Sequence, residues 1–214
     1  MAMKRVFGIG IILLVFVWGA GCAIPVREAV KVDMTAPIGT IEGNQFTGIR
    51  YPFKVTAPPG WKISTEFPKF MIDLGYEKEG LEESEVFLFN PTTQSNLQID
   101  LTPAGRYSTF DQESIQFLTS ATSGSLKEEL QEEHGKALQV TMSPTVPYSL
   151  KGVSYAAEKH ATYSTKGVKR QQGWINAFTE PYQIFILYMI LDPEGGKDPQ
   201  ALKAILDSFE VLSK

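Results

Sequence analysis

The sequence predicts an α+β domain in which helices cover a mostly antiparallel sheet. Three observations lead there. Apolar runs of strand length, bounded by Pro, Gly and Asn, recur along the chain. In the second half three such runs, Tyr155 to Tyr163, Arg170 to Phe178 and Gln183 to Leu191, follow one another with connections too short for parallel crossovers. The chain then closes on an amphipathic stretch in which Leu202, Ile205, Leu206 and Phe209 fall at i, i+3, i+4 and i+7.

The first element is not part of the fold. Met1 to Arg5 carries two positive charges, Val6 to Trp18 is an apolar run of about 13 residues, and Gly19-Ala20-Gly21 supplies small residues before Cys22. This is the arrangement of a lipoprotein signal peptide over 1–21, with Cys22 as the lipid-attachment site. Gly19 departs from the Leu that lipoboxes usually place there. The competing reading is an uncleaved anchor, but the apolar run is shorter than the roughly 20 residues that span a bilayer. Cys22 is the only cysteine of the chain, and a lone thiol in an exported protein asks for such an explanation. A processed cysteine usually carries three acyl chains, enough for stable anchoring. Ala23 lacks the Asp associated with inner-membrane retention, so outer-membrane residence facing the periplasm is expected.

Residues 22–44 mix Pro25, Pro37, Gly39 and Gly43 without a sustained period and are expected to be a flexible tether. The domain is expected over 45–214. Gln45 to Ala57 reads as a strand or hairpin arm, Pro58-Pro59-Gly60 as a turn, and Trp61 to Ile63 as the next strand. Residues 66–80 remain open between helix and strand. Val86 to Phe89 is apolar throughout and should be buried on both faces, whereas Leu97 to Leu101 alternates and should turn Gln98 and Asp100 outward. A helix is expected from Phe110 to Leu118, with Phe110, Phe117, Leu118 and Ala121 on one face and acids in its first turn. A second helical piece covers Leu126 to Glu133, and whether Gly124 joins or separates the two is open. Ile184 to Leu191 is apolar at every position and should be a central strand covered on both sides. Asp198-Pro199 reads as an N-cap with proline opening the last helix.

Composition limits the function. A chain of 214 residues with 43% hydrophobic and 21% charged residues fits one folded domain. The net charge is −4, and loss of Lys4 and Arg5 with the signal peptide brings it to −6. A net-acidic body argues against nucleic acid as a partner.

Candidate chemistry is sparse. His134 and His160 stand far apart, without the spacing of ligand pairs. Glu82, Glu83 and Glu85, and Glu128, Glu129, Glu132 and Glu133, lack the alternating oxygens and glycine of a calcium loop and read as solvated faces. No G-x-S-x-G elbow accompanies the serines, paired carboxylates are uninformative among 24 acids, and Gly195-Gly196-Lys197 lacks the rest of a phosphate loop. Trp61, Tyr155, Tyr163, Trp174, Phe178, Phe185 and Tyr188 fall on strands, where core packing is the first expectation and an open ligand groove the second.

Phe53-Lys54-Val55 leading into Pro59-Gly60-Trp61-Lys62, an apolar strand ending Phe89-Asn90, and a closing Ile205-Leu206-Asp207-Ser208-Phe209 together resemble the PsbP-like family. That family includes photosystem II extrinsic proteins and DcrB-like envelope lipoproteins, and the likeness runs from about Phe46 to Leu212. It implies an α-β-α sandwich around an antiparallel sheet and a role in binding or assembly. It brings no catalytic residue set, and although metal ions have been associated with such proteins, no metal ligand, cofactor or catalytic residue is assigned here. The expectation is a non-enzymatic envelope lipoprotein, held to the membrane through Cys22, that binds or scaffolds another envelope protein. The alternatives are a module for a small hydrophobic or lipid ligand and, behind it, an unrecognised hydrolase.

Overall fold

The computed structural model describes residues 30–74, 84–105 and 110–212. The signal peptide expected over 1–21, Cys22, Glu82 and Glu83 lie outside the described residues. In chain order the first half gives β1 (Gly39–Glu42), β2 (Gln45–Gly48), β3 (Phe53–Thr56), β4 (Lys62–Ser64), α1 (Phe70–Asp73), β5 (Val86–Phe89) and β6 (Asn96–Pro103). Then come α2 (Gln112–Ala121), α3 (Leu126–His134), β7 (Thr141–Met142), β8 (Val146–Pro147), β9 (Tyr155–Thr165), β10 (Val168–Thr179), β11 (Tyr182–Leu191), α4 (Asp198–Ser208) and β12 (Glu210–Val211).

The main sheet is antiparallel, in the order β4-β5-β6-β11-β10-β9-β7, with β8 also pairing β9. The meander read from the sequence is therefore its centre, and β11 lies between β6 and β10 as its apolar run requires. On one face of the sheet, alternate β11 residues Ile184, Ile186, Tyr188 and Ile190 are buried in one cluster with Leu202, Ile205 and Leu206 of α4. The opposite face carries α2 and α3, and there coverage is thinner than predicted. Phe185, Leu187 and Leu191 are only half-buried.

A second sheet, β1-β2-β3-β12, shares the α4 side of the core through Phe46, Phe53, Val55 and Phe209. Gln45 to Ala57 is thus two strands joined by a turn, not one arm. β1 also corrects the tether drawn over 22–44, because residues 39–42 are paired and Val30, Val32 and Ile38 already pack on the core. The lead is pinned further by Arg50, whose Nη2 donates to the Met34 and Ala36 carbonyls. Among the described residues no helix is long and apolar enough to cross a membrane.

Three local expectations change. In α2, Asp111 is the N-cap and not a residue of the first turn, accepting from the Ser114 N–H at 2.7 Å; the inward face is Ile115 and Thr119, and Phe117 is 75% exposed. Thr119 tolerates burial because its hydroxyl donates to the Ile115 carbonyl at 2.8 Å. Gly124 sits in the turn that separates α2 from α3. In β6, Gln98 is buried at 3% exposure despite the alternating pattern, set in the sheet between Phe87 of β5 and Leu187 of β11.

The third change concerns Asp198. It is the first residue of α4, not its N-cap, which is Lys197. Its buried carboxylate instead accepts from Asn90 Nδ2 at 3.0 Å and from the Thr93 hydroxyl. Burial works against the charged form, but bonds from Ser95, Thr93, Asn90 and Trp61 outweigh it and hold the carboxyl below its ordinary range. The start of the last helix is therefore fastened to the β5–β6 turn.

Candidate functional site

Cys22 lies outside the described residues, so the surfaces of the domain must be read from the remaining groups. His134 closes α3, with Nε2 3.5 Å from the Glu133 carboxylate and its ring stacked over Tyr163 at 6.5 Å. His160 belongs to β9, where alternation turns it to the sheet face opposite Tyr163. The two histidines are not brought together. No group of three or more His, Cys, Asp or Glu that could hold a metal occurs among the described residues.

The acids Glu128, Glu129, Glu132 and Glu133 form the exposed face of α3. Glu129 and Glu133 also rim a cavity of about 170 Å³ whose wall includes His134, Tyr163, Gln172 and Met189. The Tyr163 hydroxyl donates to Gln172 Oε1 at 3.1 Å, and burial, partly opposed by Arg170, pushes this phenol up. A space of that size is below the roughly 300 Å³ at which small-molecule pockets begin, so it suits a few waters.

Glu85 departs from the solvated role expected of its cluster. It is 2% exposed, with Oε1 3.6 Å from Arg50 Nη1. Its second oxygen and Arg50 Nε have no hydrogen-bond partner among the described residues. Burial pushes the carboxyl up to about 7, against the pull of Arg50 and with a further push from Asp100. Arg50 also donates through Nη2 to the carbonyls of Met34 and Ala36, each at 3.2 Å. One guanidinium thus ties the N-terminal lead to a buried acid at the start of β5. Nothing in the sequence pairs Arg50 with Glu85.

The aromatic set is interior. Trp61, Tyr163, Trp174, Phe178 and Tyr188 are buried, and Tyr155 and Phe185 half-buried. The Trp174 indole donates to the Thr119 carbonyl at 2.9 Å, fixing α2 on the sheet. Tyr188 is the most constrained. Its ring crosses Gly173 of the neighbouring strand, where a Cβ would stand 2.1 Å from it, and its hydroxyl donates to Glu158 Oε1 at 2.6 Å. Burial and then Glu158 push that phenol upward, so it remains a neutral donor. These residues fill the core, and of them Tyr163 also forms part of the wall of the small cavity beside α3.

An apolar groove does occur at the end of the domain where the described chain begins. Val30, Pro52, Pro181, Tyr182, Val211 and Leu212 line a space of about 350 Å³. Tyr51 meets Tyr182 edge-on at 5.5 Å beneath it, and Leu212 N–H donates to the Pro52 carbonyl at 2.7 Å. This groove is not legible in the sequence, because its walls come from both ends of the described residues and from segments far apart between them.

No family model matches the sequence, and a search of curated proteins finds no match. Solved structures do match. The solution structure of cyanobacterial PsbP (CyanoP) from Synechocystis sp. PCC 6803 aligns with a TM-score of 0.54 at 10% identity, covering 83% of this chain and 100% of that one. LpqN, described as involved in cell envelope biogenesis of Mycobacterium tuberculosis, aligns with a TM-score of 0.48 at 15% identity, covering 75% of this chain and 83% of that one. At such identities the likeness is one of fold. The chain has the PsbP-like α+β fold that its Pro-Gly-Trp turn and closing helix resemble.

Proposed function

We propose that this chain is an exported lipoprotein, acylated at Cys22, whose PsbP-like domain binds a second envelope protein and carries out no reaction of its own. Ala23 favours transfer to the outer membrane, with the domain facing the periplasm. The observation that carries the reading is what the buried polar groups do. Asp198 fastens α4 to the β5–β6 turn, Glu158 holds Tyr188, and the Trp174 indole holds α2. These three interior polar contacts join elements to one another, which supports a reading in which the surface is the working part.

The test is crosslinking in intact cells, followed by purification from membranes with the wild-type chain and with Cys22→Ser. The expected result is one reproducible envelope protein recovered with the wild type and lost or reduced when the chain leaves the membrane. Repeated recovery of no partner overturns the reading. A second reading, a small hydrophobic ligand, is favoured only by the Val30 to Leu212 groove. Native mass spectrometry of the gently purified protein should then show a co-purifying apolar molecule, and its absence removes that alternative.

A further inference from the structure

We infer that the end of the domain bearing Met34, Ile49 and the apolar groove seats on the surface of a lipid bilayer, an inference that rests on the acylation of Cys22 proposed above. The argument begins with covalent reach. Because Val30 is already packed on the core, eight peptide steps separate it from Cys22 in the sequence. At about 3.3–3.6 Å per residue the lipidated residue cannot stand more than roughly 29 Å from Val30 even at full stretch. The 12 residues of β10, which run from the β9–β10 turn to the groove, extend about 40 Å at strand rise. An anchor on so short a lead holds the groove end nearest the membrane and leaves the β9–β10 turn farthest from it.

What this end displays fits a bilayer surface. Met34 is 62% and Ile49 53% exposed, which makes them two of the most exposed large apolar side chains among the described residues. They are held in one patch. The Ile49 and Arg50 N–H groups both donate to the Ile38 carbonyl, at 2.9 and 3.2 Å, and Arg50 reaches the Met34 carbonyl. The next turn residue, Pro52, is a wall of the groove. Such a patch is unfavourable in water and favourable in the headgroup and upper acyl region. The charges near it are of both signs: Lys31 and Asp33 flank Met34 in the chain, Glu180 stands at the groove, and Arg50 is paired with Glu85. Apolar insertion therefore carries the contact, and attraction to anionic headgroups does not.

The test uses the full chain, purified with its lipid and reconstituted into phosphatidylcholine vesicles. Since the native cysteine is acylated, Met34→Cys, Ile49→Cys and Ser164→Cys each introduce a single free thiol for a polarity-sensitive fluorophore. All three positions are exposed, so folding is retained, and Ser164 lies near the far end of the sheet. Palmitate labelling in cells is run on the same variants. The expected result is palmitate incorporation, with quenching by nitroxide-bearing lipids several-fold stronger at 34 and 49 than at 164, and no loss of that difference at high salt. Palmitate incorporation with equal quenching at the three sites overturns the seating and leaves the anchor standing. Failure to incorporate palmitate overturns both.

Discussion

At the scale of single residues, the positions that matter most are those whose partners are distant in the chain. Gly173→Ala would drive a methyl group into the Tyr188 ring, which cannot swing aside because its hydroxyl is bonded to Glu158. The expected loss is about 1–3 kcal/mol in chemical denaturation. Asp198→Ala leaves the Asn90 and Thr93 donors facing an apolar gap and should cost a similar amount. Glu85 gives a dependence on pH with a definite sign. Its folded carboxyl titrates near 7 against an ordinary 4.5, so between those values the folded state holds a proton that the unfolded chain has released. Its contribution is complete below about 4.5 and is lost as pH rises through about 7. Glu85→Gln should flatten that slope, read as urea midpoints from pH 4.5 to 8, and equal slopes in the two proteins would refute the assignment. Sequence reading saw Asp198 as a local cap and Glu85 as a surface acid because local pattern contains no term for a partner 108 residues away, the separation of Asn90 and Asp198.

At the scale of elements, legibility followed the length of the repeating signal. β9, β10 and β11 are long, alternate or fill both faces, and are bounded by turn residues, so their order and antiparallel sense were readable. The small sheet was not, since β1, β2 and β3 have four residues each and β12 has two. Their stability comes from pairing the first strands with the last, a contact invisible in any local window. The phase of α2 was misjudged for a different reason. Threonine is counted as polar, yet Thr119 faces inward with its hydroxyl returned to its own helix, while Phe117 points to solvent. Two substitutions check this account of α2. Asp111→Ala should cost about 1 kcal/mol through loss of the cap. Trp174→Phe should cost about 1–3 kcal/mol by leaving the Thr119 carbonyl buried without its indole donor. Phe117→Ser, by contrast, should leave the thermal midpoint nearly unchanged.

At the scale of the whole molecule, the lead behaves as part of the domain. Compared with a chain that begins at Val30, deletion through Ile38 uncovers the core beneath Val30, Val32 and Ile38. With about 1 kcal/mol for each half-buried aliphatic side chain, the longer truncation should lose about 2–4 kcal/mol, measured by denaturant midpoint. The fold class was readable because strand length, turn chemistry and helix period agreed with one another. The groove was not, for it exists only once both ends of the chain have met. That meeting has a practical consequence: Val30 and Leu212 line the same groove, so a reporter fused at the C-terminus would be carried on the end of the domain where the lead joins the core. Epitopes or fluorescent domains meant to stand clear of that end belong at Lys166-Gly167, in the turn between β9 and β10 at the opposite end of the sheet.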